Sequence, residues 1–223
     1  GELILTFGFS GSIFYDDKEY FGAENIDPNW FLTFDGNNYT TQNIPLADGK
    51  TITIGGSEEK WKKLTSVQIN NFETTKIIWD YFLIGCSNLK YLVLPDINNV
   101  ETIGDNALFN CESLWDIDLL WLSNVTTIKN NFLNKCSKIK NIDLSPLSNV
   151  TEISNSFLTS IPSLTKVDIT PLSNVVTIGN DFFASCSNLS DINLTALTKL
   201  KNLGNNFLAS CKKINALDLS QLS

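Results

Sequence analysis

The chain of 223 residues contains no histidine, no methionine and no arginine, so all 16 of its basic residues are lysines. Without an imidazole there is no Ser-His-Asp or Cys-His nucleophilic pair and no histidine to ligate a metal. Without a guanidinium, and with 24 acids leaving a net charge of −8, bidentate recognition of phosphate or guanine has no carrier. No nucleic-acid partner is expected. Long apolar runs are also missing. A spanning helix needs about 20 consecutive apolar residues, whereas Leu119-Leu120-Trp121-Leu122 is among the longest runs here, so direct membrane insertion is not expected. The opening Gly1-Glu2-Leu3-Ile4-Leu5-Thr6-Phe7 has no initiator methionine and no basic stretch, and does not read as a signal peptide. Five cysteines, an odd number with no C-x-x-C pair, argue against a complete disulfide framework or a zinc site. A chain this long buries roughly 70% of its unfolded surface, so a packed core forms without such staples.

What the sequence has in abundance is a period. Cys86, Cys111, Cys136, Cys186 and Cys211 are separated by 25, 25, 50 and 25 residues, the missing member being Ile161, and one step back lies Trp61. Repeats therefore start at Trp61, Cys86, Cys111, Cys136, Ile161, Cys186 and Cys211, the last one truncated at Ser223. Other columns keep the step: Leu114, Ile139 and Leu164; then Ile117, Ile142 and Val167; then Leu119, Leu144 and Ile169. The resulting L-x-x-L-x-L alternates apolar with polar and predicts a short strand at about 141–145 and its equivalents. Val125, Val150 and Val175 turn the chain inward, and Ile128, Ile153 and Ile178 follow. From there the spacing changes to i, i+4, i+8, as in Ile128, Phe132 and Cys136, which predicts a short helix. Asp105, Asn130, Asn155, Asn180 and Asn205 stand where a side-chain oxygen would cap it. Such a unit cannot close its own core and must stack on its neighbours.

The L-x-x-L-x-L strand, the pairs Ile103-Gly104, Ile178-Gly179 and Leu203-Gly204, and the closing cysteine followed by x-x-Leu resemble the BspA-like leucine-rich repeat family over about Trp61 to Ser223. Two features depart from it: segments such as 144–150 lengthen the unit, and Phe132-Leu133 or Phe207-Leu208 stand where the family prefers Ala-Phe. The fold expected is an α/β solenoid, a right-handed coil with one short parallel strand and one short helix per repeat. The resemblance further implies a non-enzymatic surface-exposed or secreted protein acting in adhesion or protein binding. Its partner would be a protein or surface glycan of a host or neighbouring cell, met through the exposed strand face, and no cofactor is implied. The alternative is an architectural spacer that holds other parts of a larger surface protein and binds nothing in this stretch.

Residues 1–60 follow another pattern. Leu3, Leu5, Phe7 and Phe9 alternate, Phe31 to Phe34 and Thr51-Ile52-Thr53-Ile54 read as strands, and 35–38 and 47–50 read as hairpin turns. A β-rich amino-terminal cap over the open first coil is preferred to a separate small β domain, with 61–223 as the solenoid. The other end stops inside a repeat, as expected of a piece of a longer chain.

Candidate site residues lie on the outward strand positions. Asp118, Asp143 and Asp168 fall on consecutive coils, where stacked carboxylates repel one another. Lys140 and Lys166 are placed to relieve this, a cation or a basic partner being the other readings. One unit breaks the polar rule: Trp115, Asp116, Asp118, Leu120 and Trp121 stand where the next has Lys140, Asn141, Asp143, Ser145 and Pro146, and Tyr91 is expected beside Asp116. Exposed tryptophans mark contact sites. The plainer reading tucks Trp121 under the following turn and lays Trp115 flat on the sheet. The cysteine column reads as buried thiols in a slot that Ile161 and Trp61 share, not as nucleophiles.

Overall fold

A 25-residue unit with two apolar walls is stable only when another lies on it, and the computed structural model of the chain has such a stack. The structure describes residues 78, 80–92, 100–220 and 222 in full and, outside them, the backbone of the strands alone. In chain order these begin with β1 (Ile4–Leu5), β2 (Gly11–Tyr15), β3 (Lys18–Glu19), β4 (Gln42–Pro45), β5 (Thr51–Gly55), β6 (Leu64–Ile69), β7 (Ile77–Ile78) and β8 (Tyr91–Val93). Then follow β9 (Thr102–Ile103), β10 (Thr127–Ile128), β11 (Glu152–Ile153), β12 (Thr177–Ile178) and β13 (Asn202–Leu203).

Near the amino terminus, β1 and β4 both pair antiparallel with β5. Strand β2 pairs antiparallel with β3 and with β6, and β6 pairs parallel with β8 in the register Val67 to Leu92. The expected strand at 31–34 and the turns at 35–38 and 47–50 lie outside the described residues.

The longest sheet runs β7-β9-β10-β11-β12-β13, every pair parallel and in register at one repeat: Thr102, Thr127, Glu152, Thr177 and Asn202 stand in a row. Ile103, Ile128, Ile153 and Ile178 face the core beneath it. The coil 136–160 buries Cys136, Ile139, Ile142, Leu144, Leu147, Val150, Ile153, Phe157 and Leu158. Each such apolar side chain contributes about 1.5–3 kcal/mol when covered, and an isolated coil would leave one side of every one of them wet.

The strand falls where the periodicity places it in the first two units, as β6 and β8, but in the later units the strand and the short helix lie elsewhere. The ladder lies at 127–128 and its equivalents. Beyond the pairing of β6 with β8, the L-x-x-L-x-L segments pair as strands only at the bridge between Lys166 and Asp191 among the described residues. The helices are 3₁₀ turns that follow directly, at Leu120–Leu122, Ser145–Asn149 and Thr170–Asn174, the last two with proline in the first turn. A helix is wider than the 4.7–4.9 Å between paired strands, so stacked helices hold the adjoining segments further apart than a backbone hydrogen bond spans.

The same limit removes the helix expected over 128–136. At ladder spacing there is no room for one, and the backbone instead alternates, with left-handed φ at Asn131 (63°), Leu133 (55°) and Lys135 (63°), repeated in each coil. The Asn131 and Lys135 amides donate to Asn155 and Thr159 of the next coil at 2.8 and 2.9 Å, and Leu133 donates back to Ala107 at 3.3 Å. An α-helix would spend those amides on itself. The apolar spacing is still satisfied, since Ile128, Phe132 and Cys136 are all buried.

The Asp105 column is likewise a ladder rather than a row of helix caps. Asp80 Oδ1 accepts the Asp105 amide at 2.7 Å, Asp105 the Asn130 amide at 3.0 Å, Asn130 that of Asn155 at 3.0 Å, Asn155 that of Asn180 at 2.8 Å, and Asn180 that of Asn205 at 2.7 Å. Asn149 and Asn174 also bond between coils, their Nδ2 groups donating to Ser123 and Ser148 carbonyls at 2.8 Å. Gly179 follows from the same closeness, because a Cβ there would lie 2.7 Å from the Ser154 carbonyl carbon.

Candidate functional site

The outward aspartates stand where the extended segment bends into the 3₁₀ turn, and that bend leaves amides without partners. Oδ1 of Asp118, Asp143 and Asp168 accepts the amide two residues on, from Leu120 at 2.8 Å, Ser145 at 2.8 Å and Thr170 at 2.9 Å. Asn193 and Asp218 do the same for Thr195 and Ser220. The row is therefore a stack of side-chain-closed turns. Hydrogen bonds from Thr170 hold the exposed Asp168 carboxyl below its ordinary range, and those from Ser220 do so for Asp218. Since the folded value is the depressed one, this contribution is present at neutral pH and fades as the pH falls through the carboxylate range. Among the described residues no group of three or more acidic or cysteine side chains could hold a metal.

The unit that breaks the polar rule divides in two. Trp121, a candidate contact residue, lies under the turn where the plainer reading put it: it is 1% exposed, and its Nε1 donates to the Asp118 carbonyl at 2.7 Å. It fills the slot that proline occupies in the next coils, at the start of the 3₁₀ turn, where the side chain points under the coil. Trp115 is on the outside at 49% exposure, with Tyr91 of the preceding coil meeting it edge to face at 6.1 Å between ring centroids. Leu120 is exposed as well.

Trp115 borders an open groove of about 580 Å³ whose wall includes Asp116, Lys90, Lys138 and Lys140. Ser113, Asn141 and Ser163 complete the lining. Of the residues singled out from sequence, the groove gathers Trp115, Asp116 and Lys140, and Tyr91 joins them through its ring contact. Asp118, Leu120, Asp143, Lys166 and Asp168 are exposed on the same coils but do not line it. The sequence reading missed Lys90 and Lys138. Lys90 stands one repeat before Trp115 and Lys140 one repeat after, so a search along the tryptophan's own column would have found the first. Among the described residues no acid pairs with any of these three lysines, and all three are exposed.

The cysteines are elsewhere and do other work. All five are free and buried. The thiols of Cys111, Cys136, Cys186 and Cys211 each donate to a carbonyl 28 residues back, of Leu83, Leu108, Leu158 and Phe183, at 3.1 to 3.2 Å. Burial pushes the Cys86 and Cys136 thiols well up, that of Cys211 up, and that of Cys186 from an ordinary 9.0 to about 12. Thiolates are the reactive form, so Cys86, Cys136, Cys186 and Cys211 are not expected to react with a thiol reagent at neutral pH while folded, and should react in denaturant. The raised value also sets a direction. Above about pH 9 the unfolded chain releases its thiol protons first, so stability falls as the pH climbs toward the folded value. Urea midpoints taken across alkaline pH would measure that decline.

Comparison with known proteins places these features. The family model of the BspA type leucine rich repeat region matches residues 53–173 and 151–223, with six copies. No curated protein matches the chain. Among solved structures it is similar to a leucine-rich repeat protein of Treponema pallidum, at 16% identity over 78% of this chain and 87% of that one, with a TM-score of 0.48. It is also similar to a leucine rich cell surface protein of Faecalibacterium prausnitzii, at 19% identity over 82% of this chain and 55% of that one, with a TM-score of 0.44. No helix among the described residues is long and apolar enough to cross a membrane.

Proposed function

The chain belongs to the BspA type leucine-rich repeat family, and from that premise we propose that it is a non-enzymatic binding module, displayed at a cell surface or secreted, that docks another protein on the outward face of its early coils. The observation that carries this reading is Trp115: half of its surface is open, and it is braced by Tyr91 beside a groove. A large aromatic held rigid at a surface supplies contact area at little entropic cost, and such residues dominate interface energetics. The sister coils have lysine, threonine, serine or asparagine in that slot, so the solenoid does not need the ring for its own packing.

The test is capture of proteins from cell-surface and matrix extracts on the immobilised chain, beside Trp115→Ala. The expected result is a specific protein retained by the wild type and lost from the variant, with equal thermal melts. A folded wild type that retains nothing would move the reading to an architectural spacer.

A further inference from the structure

The charge of the groove beside Trp115 is opposite in sign to the net charge of the chain. The protein carries a net −8, yet Lys90, Lys138 and Lys140 line this one depression with Asp116 as its sole acid. Twenty-four acids are available in the sequence, and among the described residues none is paired with these lysines. Three free ammonium groups around an exposed indole are repelled by one another and gain from an incoming anion. Lys90 and Lys140 stand in the Trp115 column on the coils on either side, so the cations bracket the ring two coils apart.

We propose that this groove binds an acidic peptide segment of a partner protein, with Trp115 seating an apolar side chain and the lysines holding carboxylates on both sides of it. The inference rests on the protein-binding reading above and names the chemistry of the partner. The choice of a peptide over a sulfated glycan follows from the cations themselves. Lysine is a flexible point charge without the planar fork that grips sulfate or phosphate through two bonds, and the chain has no arginine at all. Point charges suit carboxylates spread along a pliable segment. The indole, braced by Tyr91 at 6.1 Å and half exposed, suits an aliphatic or aromatic side chain as the anchor. Ser113 and Asn141, also in the lining, provide hydrogen-bonding groups for a peptide backbone.

The experiment is fluorescence anisotropy on the whole chain with a labelled peptide of alternating glutamate pairs and phenylalanine. Controls are the same peptide with glutamine for glutamate, the glutamate peptide with alanine for phenylalanine, and a heparin oligosaccharide as competitor. The glutamate-phenylalanine peptide is expected to bind at least about tenfold more tightly than either control peptide, and more weakly as salt is raised. Trp115→Ala, and separately the combined Lys90→Gln, Lys138→Gln, Lys140→Gln variant, are each expected to lose at least about tenfold in affinity. All these positions are on the surface, and unchanged melts will establish that the variants fold. Binding that ignores both variants would overturn the proposal, as would no binding at all, or a Trp115-dependent preference for the oligosaccharide. If peptide binding fails while protein capture still depends on Trp115, the acidic occupant is wrong and the binding module stands; if both fail, both readings fall.

Discussion

Replacing Trp121 with alanine is expected to cost about 3–5 kcal/mol of stability, the range for a large aromatic removed from a core, whereas Trp115→Ala should cost less than about 1 kcal/mol. The two tryptophans stand in one coil, six residues apart, and differ in what surrounds them. Trp121 is the largest fully buried side chain among the described residues, and its one polar atom is satisfied by the Asp118 carbonyl. Alanine would empty that volume and leave the carbonyl without its donor, at a bend where Asp118 also secures the Leu120 amide. Trp115 is half exposed and loses mainly its edge contact with Tyr91. Urea denaturation followed by circular dichroism would separate the two. Equal losses would mean that Trp115 is a packing residue and would remove the ground for a binding groove. For this reason the partner experiments substitute Trp115 alone, since a double variant would report on folding.

The repeat, its step and its buried columns were all legible in the sequence, because an apolar position that recurs every 25 residues has a meaning independent of backbone conformation. Cys136, Ile139, Leu144, Val150, Ile153 and Phe157 are buried as the pattern requires. Conformation was less legible, and for one reason. Periodicity describes a segment alone, while each segment here is shaped by the coil lying against it. Ile128, Phe132 and Cys136 have helical spacing, but a ladder at strand distance excludes a helix, and the alternating left-handed residues take its place. The Asn130 and Asn155 side chains, suited to capping, turn to the amide of the next coil instead. The site was half legible for a related cause. A tryptophan in a polar column marks an exception without saying which way it points. Trp115 falls on an outward position of the extended segment, whereas Trp121 occupies a proline slot whose direction is set by the turn. Lys90 and Lys138 carry no local signal, and only the stacking brings them to Trp115.

Phe157→Ala should cost about as much as the loss of Trp121, about 3–5 kcal/mol, and its effect should be confined to neighbouring coils. The Phe157 ring is fully buried and stacks on Phe132 at 6.2 Å and on Phe182 at 5.6 Å between centroids, with Phe183 edge-on at 5.7 Å. One side chain therefore contributes to two inter-coil interfaces. In a stack whose units touch only their neighbours, stability is a sum of unit and nearest-interface contributions. Removing the ring weakens the joints on either side of its coil and leaves distant joints intact. Hydrogen exchange can read this directly from the inter-coil amides. Ser154, which donates to Ile128 at 2.8 Å, and Gly179, which donates to Ile153 at 2.8 Å, should exchange faster. Gly104, which donates to Ile78 at 2.6 Å two coils earlier, should change least. Phe157→Leu, which keeps most of the volume, should lose much less than the alanine variant. A uniform loss of protection from Gly104 to Gly179 would mean that the stack opens as one cooperative body, in which case a partner bound at Trp115 would stabilise every coil and not only those it touches.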